Sequence, residues 1–295
     1  MTSSFFERLR PAEIATLAYI SIELMIVLIF MAGKPGWTYL FLFYLCAAGI
    51  IFLMAASPFK NDVGFAGAVR TLYPVVLAML FYRAVGPQLY LIFDQPFDSA
   101  IHNLELKILG ADPAFALQKF IDIPTNELMS FGYFSFYLIL PISIILFLIY
   151  HRRDSLNRIV LSAVVTYYIC FLIFIFFPVT GPRFYLKDIY YLPIIGPFFT
   201  PLVRNIVVAG GHHGAAMPSS HCAITFVAVW RVMREFRKLA IPSIILILMV
   251  CAGAVYGRFH YLTDAVIGII IGIFGVWVSN IWYNSFMRRM EKIQN

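Results

Sequence analysis

The sequence predicts an all-α, polytopic integral membrane protein, a bundle of about eight transmembrane helices with both termini cytoplasmic. Three observations carry this. Of the 295 residues, 61% are hydrophobic and only 13% charged, about half the charged share of a soluble domain. Mean hydropathy is +0.84, and several apolar runs reach the ~20 residues that cross a bilayer. The 22 Lys and Arg gather in clusters between those runs, the distribution expected where basic residues stay on the cytoplasmic side. The net charge of +7 is therefore assigned to cytoplasmic loops, and nucleic acid is excluded as a partner. Cys46, Cys170, Cys222 and Cys251 lie in or beside apolar runs without paired spacing, so they read as small core residues, with no disulfide framework or zinc knuckle.

In chain order, a polar start carries Arg8 and Arg10 and shows no cleavable signal, since the first apolar run is long enough to be a retained helix. Spans are expected at 14–32, 37–56 and 69–92. The first is closed by Gly33-Lys34-Pro35-Gly36, the second by Ser57-Pro58 and a polar connection through Lys60, Asn61 and Asp62, and Pro74, Arg83 and Pro87 interrupt the third. Together, residues 1–93 form an N-terminal set of helices. Residues 94–127 are an extracytoplasmic connector, in which 98–109 fits an amphipathic helix on the membrane surface and a packed extramembrane connector equally well. Residues 128–285 form a catalytic bundle with spans at 128–150, 159–177, 218–231, 239–256 and 261–283, and a Pro- and Gly-rich loop at 178–217. A basic cytoplasmic tail, 286–295, follows.

Two polar islands interrupt the last spans. Met217-Pro218-Ser219-Ser220-His221 has the form of a helix start, with Pro218 expected near the first helical position. The free backbone N–H groups of such a start attract an anion, phosphate especially. In Gly257-Arg258-Phe259-His260-Tyr261-Leu262-Thr263-Asp264, His260 and Asp264 are four apart and would share a helical face, so that the carboxylate can orient or charge the imidazole. With the termini inside, Arg8/Arg10, Lys60/Arg70, Arg152/Arg153/Arg158, Arg231/Arg234/Arg237/Lys238 and the tail are cytoplasmic. The same assignment brings Arg183, His221, Arg258, His260 and Asp264 to the opposite face. Taken singly, such a histidine is more often structural and such an arginine more often snorkels to the interface. Taken together at one face, they form a phosphoryl-transfer centre. A metal site built from them with His212 and His213 would need a ligand spacing unlike the usual ones.

The pattern Pro218-Ser219-x-His221 at a helix start, followed a helical hairpin later by His260-x-x-x-Asp264, resembles the type 2 phosphatidic acid phosphatase superfamily. That family also includes vanadium haloperoxidases and sphingolipid head-group phosphotransferases, and the resemblance covers about 128–283. It implies that His260 is the nucleophile, with Asp264 orienting and polarising it, and that His221 is the general acid and later the base. Ser219, the Ser220 turn, Arg183 and Arg258 would hold the phosphate oxygens. No metal and no cofactor is implied. Phe176 and Ala254 stand where the phosphatase branch carries Lys and Arg, and Ser220 replaces the usual Gly. With Gly181-Pro182-Arg183-Phe184-Tyr185, the motif form is closest to the inositol phosphorylceramide synthase branch. Tyr185, Lys187, His212 and His213 are accessory candidates. The expected function is a lipid phosphatase that cleaves a phosphate monoester or pyrophosphate at the extracytoplasmic face through a phosphohistidine. The alternatives are a phosphotransferase acting on a lipid or polyol hydroxyl, and a non-catalytic lipid-binding or transport protein. The expected partners are a lipid phosphate and the surrounding membrane lipids.

Overall fold

In a bilayer the backbone amides of an apolar run find no water, so a single segment satisfies them as a helix. The computed structural model describes residues 8–56 and 64–294, so the connection through Lys60, Asn61 and Asp62 lies outside the described residues. Among the described residues ten helices of twelve or more residues follow in order: α1 (Pro11–Ile26, prolonged by a π turn to Met31), α2 (Trp37–Ala56), α3 (Gly64–Val85), α4 (Asp98–Leu109), α5 (Ile123–Ile149), α6 (Arg153–Phe176), α7 (Phe199–Gly210), α8 (Ser220–Glu235), α9 (Ala240–Tyr256) and α10 (Leu262–Gln294). No strands occur among the described residues, only isolated bridges from Val179 to Gly214 and Ala215.

Among the described residues, seven helical segments are long and apolar enough to cross a membrane: Pro11–Met31, Trp37–Ala56, Gly64–Gln88, Ile123–Ile149, Arg153–Phe176, Arg237–Tyr256 and Leu262–Lys292. The remaining expected span is α8, which has only 16 residues. Pro74 does not interrupt the third span, because it sits buried inside a continuous α3.

Helix α6 is the axis of the bundle and touches α1, α3, α5, α8 and α10. Its buried Ile159, Val160, Ala163, Val164, Phe171 and Phe174 make it apolar nearly all round, as a fully enclosed helix must be. The N-terminal helices share this core: Tyr19 stacks on Tyr168 with ring centroids 4.3 Å apart, and the Thr16 hydroxyl lies 3.0 Å from that of Tyr168.

Glycines set the distance between the helices that carry the two polar islands. A Cβ on Gly268 of α10 would meet the Ser219 carbonyl, and one on Gly272 would lie 2.6 Å from the Ala223 carbonyl. This Gly-x-x-x-Gly stripe lets α8 and α10 touch backbone to backbone, as small residues do between membrane helices. Gly132 of α5 plays the same part against α9, where a Cβ would lie 2.7 Å from the Met249 carbonyl.

Helix α4 faces the opposite way from an ordinary surface helix. Asp98, Ile101 and Glu105 are buried against the bundle, while Ile108 and Leu109 are 69% and 49% exposed. It is thus both packed and apolar on its outer side. The two inward carboxylates hold backbone rather than bases. Asp98 accepts from the N–H groups of Thr180 and Gly181, at 2.8 and 2.9 Å, and from the Tyr261 hydroxyl at 3.1 Å. Glu105 accepts from the Thr263 N–H at 2.6 Å, in the first turn of α10.

Candidate active site

The first polar island begins α8, with a local difference from expectation. Ser219 is the N-cap and Ser220 the first helical residue, so Pro218 lies one position before the cap instead of inside the first turn. The Ser219 Oγ accepts from the Cys222 N–H at 3.4 Å, and its own N–H donates to the Asp264 carbonyl at 2.9 Å. That last bond ties the start of α8 directly to the start of α10.

The second island is a turn, not a helix. His260 and Tyr261 precede α10, which starts at Leu262. Arg258 has φ of +62°, a conformation uncommon for a side-chain-bearing residue. The Asp264 Oδ2 accepts from the Tyr261 N–H at 2.8 Å. Because the turn folds back over the first turn of α10, His260 and Asp264 still meet: Nδ1 lies 3.6 Å from Oδ2. The nearer partner of that nitrogen is the Ala216 carbonyl, at 2.8 Å. A carbonyl can only accept, so the network assigns the proton to Nδ1 and leaves a lone pair on Nε2. Nε2 faces the Nδ1 of His221 at 3.3 Å. His221 in turn has its Nε2 3.1 Å from the hydroxyl of Tyr133 on α5. The consistent reading is a relay in which Tyr133 donates to His221, His221 to His260 and His260 to Ala216.

Around the two imidazoles is a small pocket of about 50 Å³, lined by Tyr82, Tyr133, Thr180, Arg183, Phe259, His212 and the histidine pair, among others. Arg183 is the one Lys or Arg in that lining. Its backbone N–H donates to the Arg258 carbonyl at 3.0 Å, and its guanidinium rests 4.3 Å from the ring centre of Phe184. No carboxylate pairs with it among the described residues, and burial lowers its pKa from the ordinary arginine value without removing the charge. An unpaired, half-buried guanidinium beside two imidazoles attracts an oxyanion. Gly181 makes this approach possible: its φ is +94°, and a Cβ there would lie 2.8 Å from the Phe259 carbonyl.

Arg258 is directed elsewhere. Its guanidinium donates to the Leu192 carbonyl at 2.7 Å and to Gln118 at 3.3 Å, and stacks 4.2 Å from the ring centre of Tyr190. It binds the outer loops to the turn and is not among the pocket lining. His212 does line the pocket and its Nε2 donates to the Tyr82 carbonyl at 3.1 Å. Burial pushes its pKa below the ordinary histidine value. His213 instead packs on Phe184, with ring centroids 3.9 Å apart. Tyr185 and Lys187 are exposed. Among the described residues no group of three His, Cys, Asp or Glu side chains is placed to hold a metal ion. Sequence reasoning did not find Tyr133, the Ala216 carbonyl, Asp98 or Glu105. For the two carboxylates a signal existed, since Asp98, Ile101 and Glu105 share one face of a short helix.

The fold and the site together define a helical integral membrane protein with a paired-histidine centre and one guanidinium beside it. Residues 99–278 match the family model of the PAP2 superfamily, and the chain belongs to that superfamily. The match reaches back beyond 128 and takes in α4, which the sequence motifs alone did not include. Comparison with curated proteins and with solved structures finds no match.

Proposed function

We propose that the protein is a lipid phosphate phosphatase working through a phosphohistidine at the extracytoplasmic face. Membership of the PAP2 superfamily points to phosphatase or phosphotransferase chemistry. The observation that carries the finer reading is the pairing of an unprotonated His260 Nε2 with a proton-bearing His221 Nδ1, 3.3 Å apart. In the first step, with the bound phosphate's negative charge holding His221 as the imidazolium, Nε2 of His260 forms a bond to phosphorus, the bond from phosphorus to the ester oxygen breaks, and the Nδ1 proton of His221 passes to that oxygen, leaving His221 neutral. In the second step His221 takes a proton from water, the water oxygen attacks phosphorus, and the P–N bond breaks, releasing phosphate. Arg183 neutralises charge on the non-bridging oxygens. The Ala216 carbonyl fixes the His260 tautomer, and Asp264 stabilises the imidazolium side of the reaction from 3.6 Å.

A phosphoryl group suits a pocket whose lining carries the two imidazoles and a single guanidinium, Arg183, and a monoester or pyrophosphate is the substrate proposed. The extracytoplasmic assignment is supported by the basic residues, since Arg152 and Arg153 between α5 and α6, and Arg237 and Lys238 between α8 and α9, lie at the helix ends remote from His221.

The test is phosphate release from a panel of lipid phosphates by purified wild type and His260→Ala, with EDTA present. Wild-type release lowered by about a thousandfold or more in the variant is the expected outcome. Equal release by both would sink the phosphohistidine, and loss of wild-type release with EDTA would sink the metal-free step. Head-group exchange appearing only with an alcohol acceptor would make it a transferase.

A further inference from the structure

Next to the phosphate pocket lies a larger chamber of about 270 Å³. The two share Tyr82, Tyr133, Val207, Gly211 and His221 as walls, whereas His260 lines only the smaller one. The chamber is walled mainly by rings and aliphatic side chains of α3, α5, α6 and α7, among them Met79, Tyr137, Tyr167 and Phe171. On its outer side Met79 is 51% exposed, so the chamber reaches the apolar flank of the bundle, where membrane hydrocarbon would lie. Its volume is at the low end for small-ligand sites, ~300 Å³, and suits a single chain. Two bonds fix the α3 wall: His212 to the Tyr82 carbonyl, and Arg83 to the Ala209 carbonyl, each 3.1 Å.

We propose that this chamber seats the hydrocarbon chain of the alcohol that leaves, and that α3, outside the family-matched stretch of 99–278, is the wall that selects it. The inference rests on the phosphoryl-transfer reading above. Its central observation is that the proton donor, not the nucleophile, stands at the junction of the two cavities. In-line displacement puts the leaving oxygen opposite His260 Nε2, and a chain attached to that oxygen must continue into a space bordering His221. The bond broken is then the one between phosphorus and the lipid oxygen, and the His221 proton ends on the lipid alcohol. The N-terminal helices thereby acquire a part in specificity through Met79 and Tyr82.

The experiment uses the full-length chain and hexadecyl phosphate carrying a photoreactive diazirine in mid-chain. His260→Ala, which binds without turning over, is labelled and the modified peptides are mapped. Label on α3 around Met79 and on α6 between Tyr167 and Phe171, displaced by unlabelled hexadecyl phosphate, is expected. Label confined to other helices overturns the proposal. In the otherwise wild-type chain, Met79→Trp should lower kcat/KM for hexadecyl phosphate about tenfold more than for butyl phosphate, the loss of roughly two buried methylenes. An equal effect on both substrates overturns it as well. Label in the chamber without turnover by wild type would refute the phosphoryl-transfer reading and leave the chain site standing. Turnover with label elsewhere would do the reverse.

Discussion

Tyr133 is the residue on which the histidine pair leans from the far side. Its hydroxyl, 3.1 Å from His221 Nε2, fixes which nitrogen of His221 carries the proton that faces His260. Tyr133→Phe keeps the ring against Phe259, 4.6 Å away between centroids, and removes only that donor. We expect kcat to fall about tenfold with KM little changed, the size of one hydrogen bond felt in the transition state; steady-state kinetics on a lipid phosphate would measure it. An unchanged kcat would show that His221 needs no second partner. At this scale the sequence shows the ionisable groups and little of what orients them. His221, His260 and Asp264 stand out because charge is costly in an apolar run. The partner nearest to His260 Nδ1 is the Ala216 carbonyl, at 2.8 Å, and a backbone carbonyl has no signature in a string of letters. Arg183 and Arg258 look alike in sequence, yet one guanidinium lines the pocket and the other is held by Leu192 and Gln118. Arg258 also differs from Arg183 in its backbone, with a left-handed φ of +62°.

Between helices, the distance from α8 to α10 is the quantity that small residues protect. Gly268→Val would drive a branched side chain into the Ser219 carbonyl, separating the helices that carry His221 and Asp264. Phosphatase activity should be lost and the melting temperature in detergent should fall by several degrees; a variant as stable and active as wild type would mean that α8 can shift at no cost. Helix α4 offers a subtler test. In Asp98→Asn one carboxylate oxygen becomes an amide NH2 that must face a backbone N–H of Thr180 or Gly181. A loss of about 1–3 kcal/mol is expected from the mismatched donor, read as a lower unfolding midpoint, together with a higher KM because the loop bearing Arg183 loses its anchor. The helices themselves were legible in the sequence, since seven of the expected spans recur, though their ends shift by up to nine residues and the last runs on to Lys292, through most of the segment expected as a separate tail. What composition does not disclose is how a helix is turned. α4 reads equally well as a surface helix and as a packed connector, and neither reading tells that its acids point inward, where they cap the turns around the site.

For the whole molecule, sidedness is the claim to check. With both termini inside, Lys187→Cys in a background lacking exposed Cys46 should react with a membrane-impermeant maleimide in intact cells. Arg288→Cys should react only after permeabilisation, and the reverse pattern would turn the site to the cytoplasm. The membrane class was legible from composition alone, and the family from two motifs, but the union of the N-terminal helices with the rest was not. Tyr19 against Tyr168 and Thr16 beside its hydroxyl are contacts between distant segments, which no local pattern announces.

The inverted helix α4 has one more implication. Its outer side offers Leu104, Ile108 and Leu109 to the surroundings, and its inner side grips Tyr261 and Thr263, on either side of the turn into α10. An amphiphile that wets the outer side pins the helix from without, while the two carboxylates pin it from within. Whatever medium meets that outer side, lipid or detergent, therefore borders the same short helix whose Asp98 and Glu105 hold two residues that follow the nucleophile.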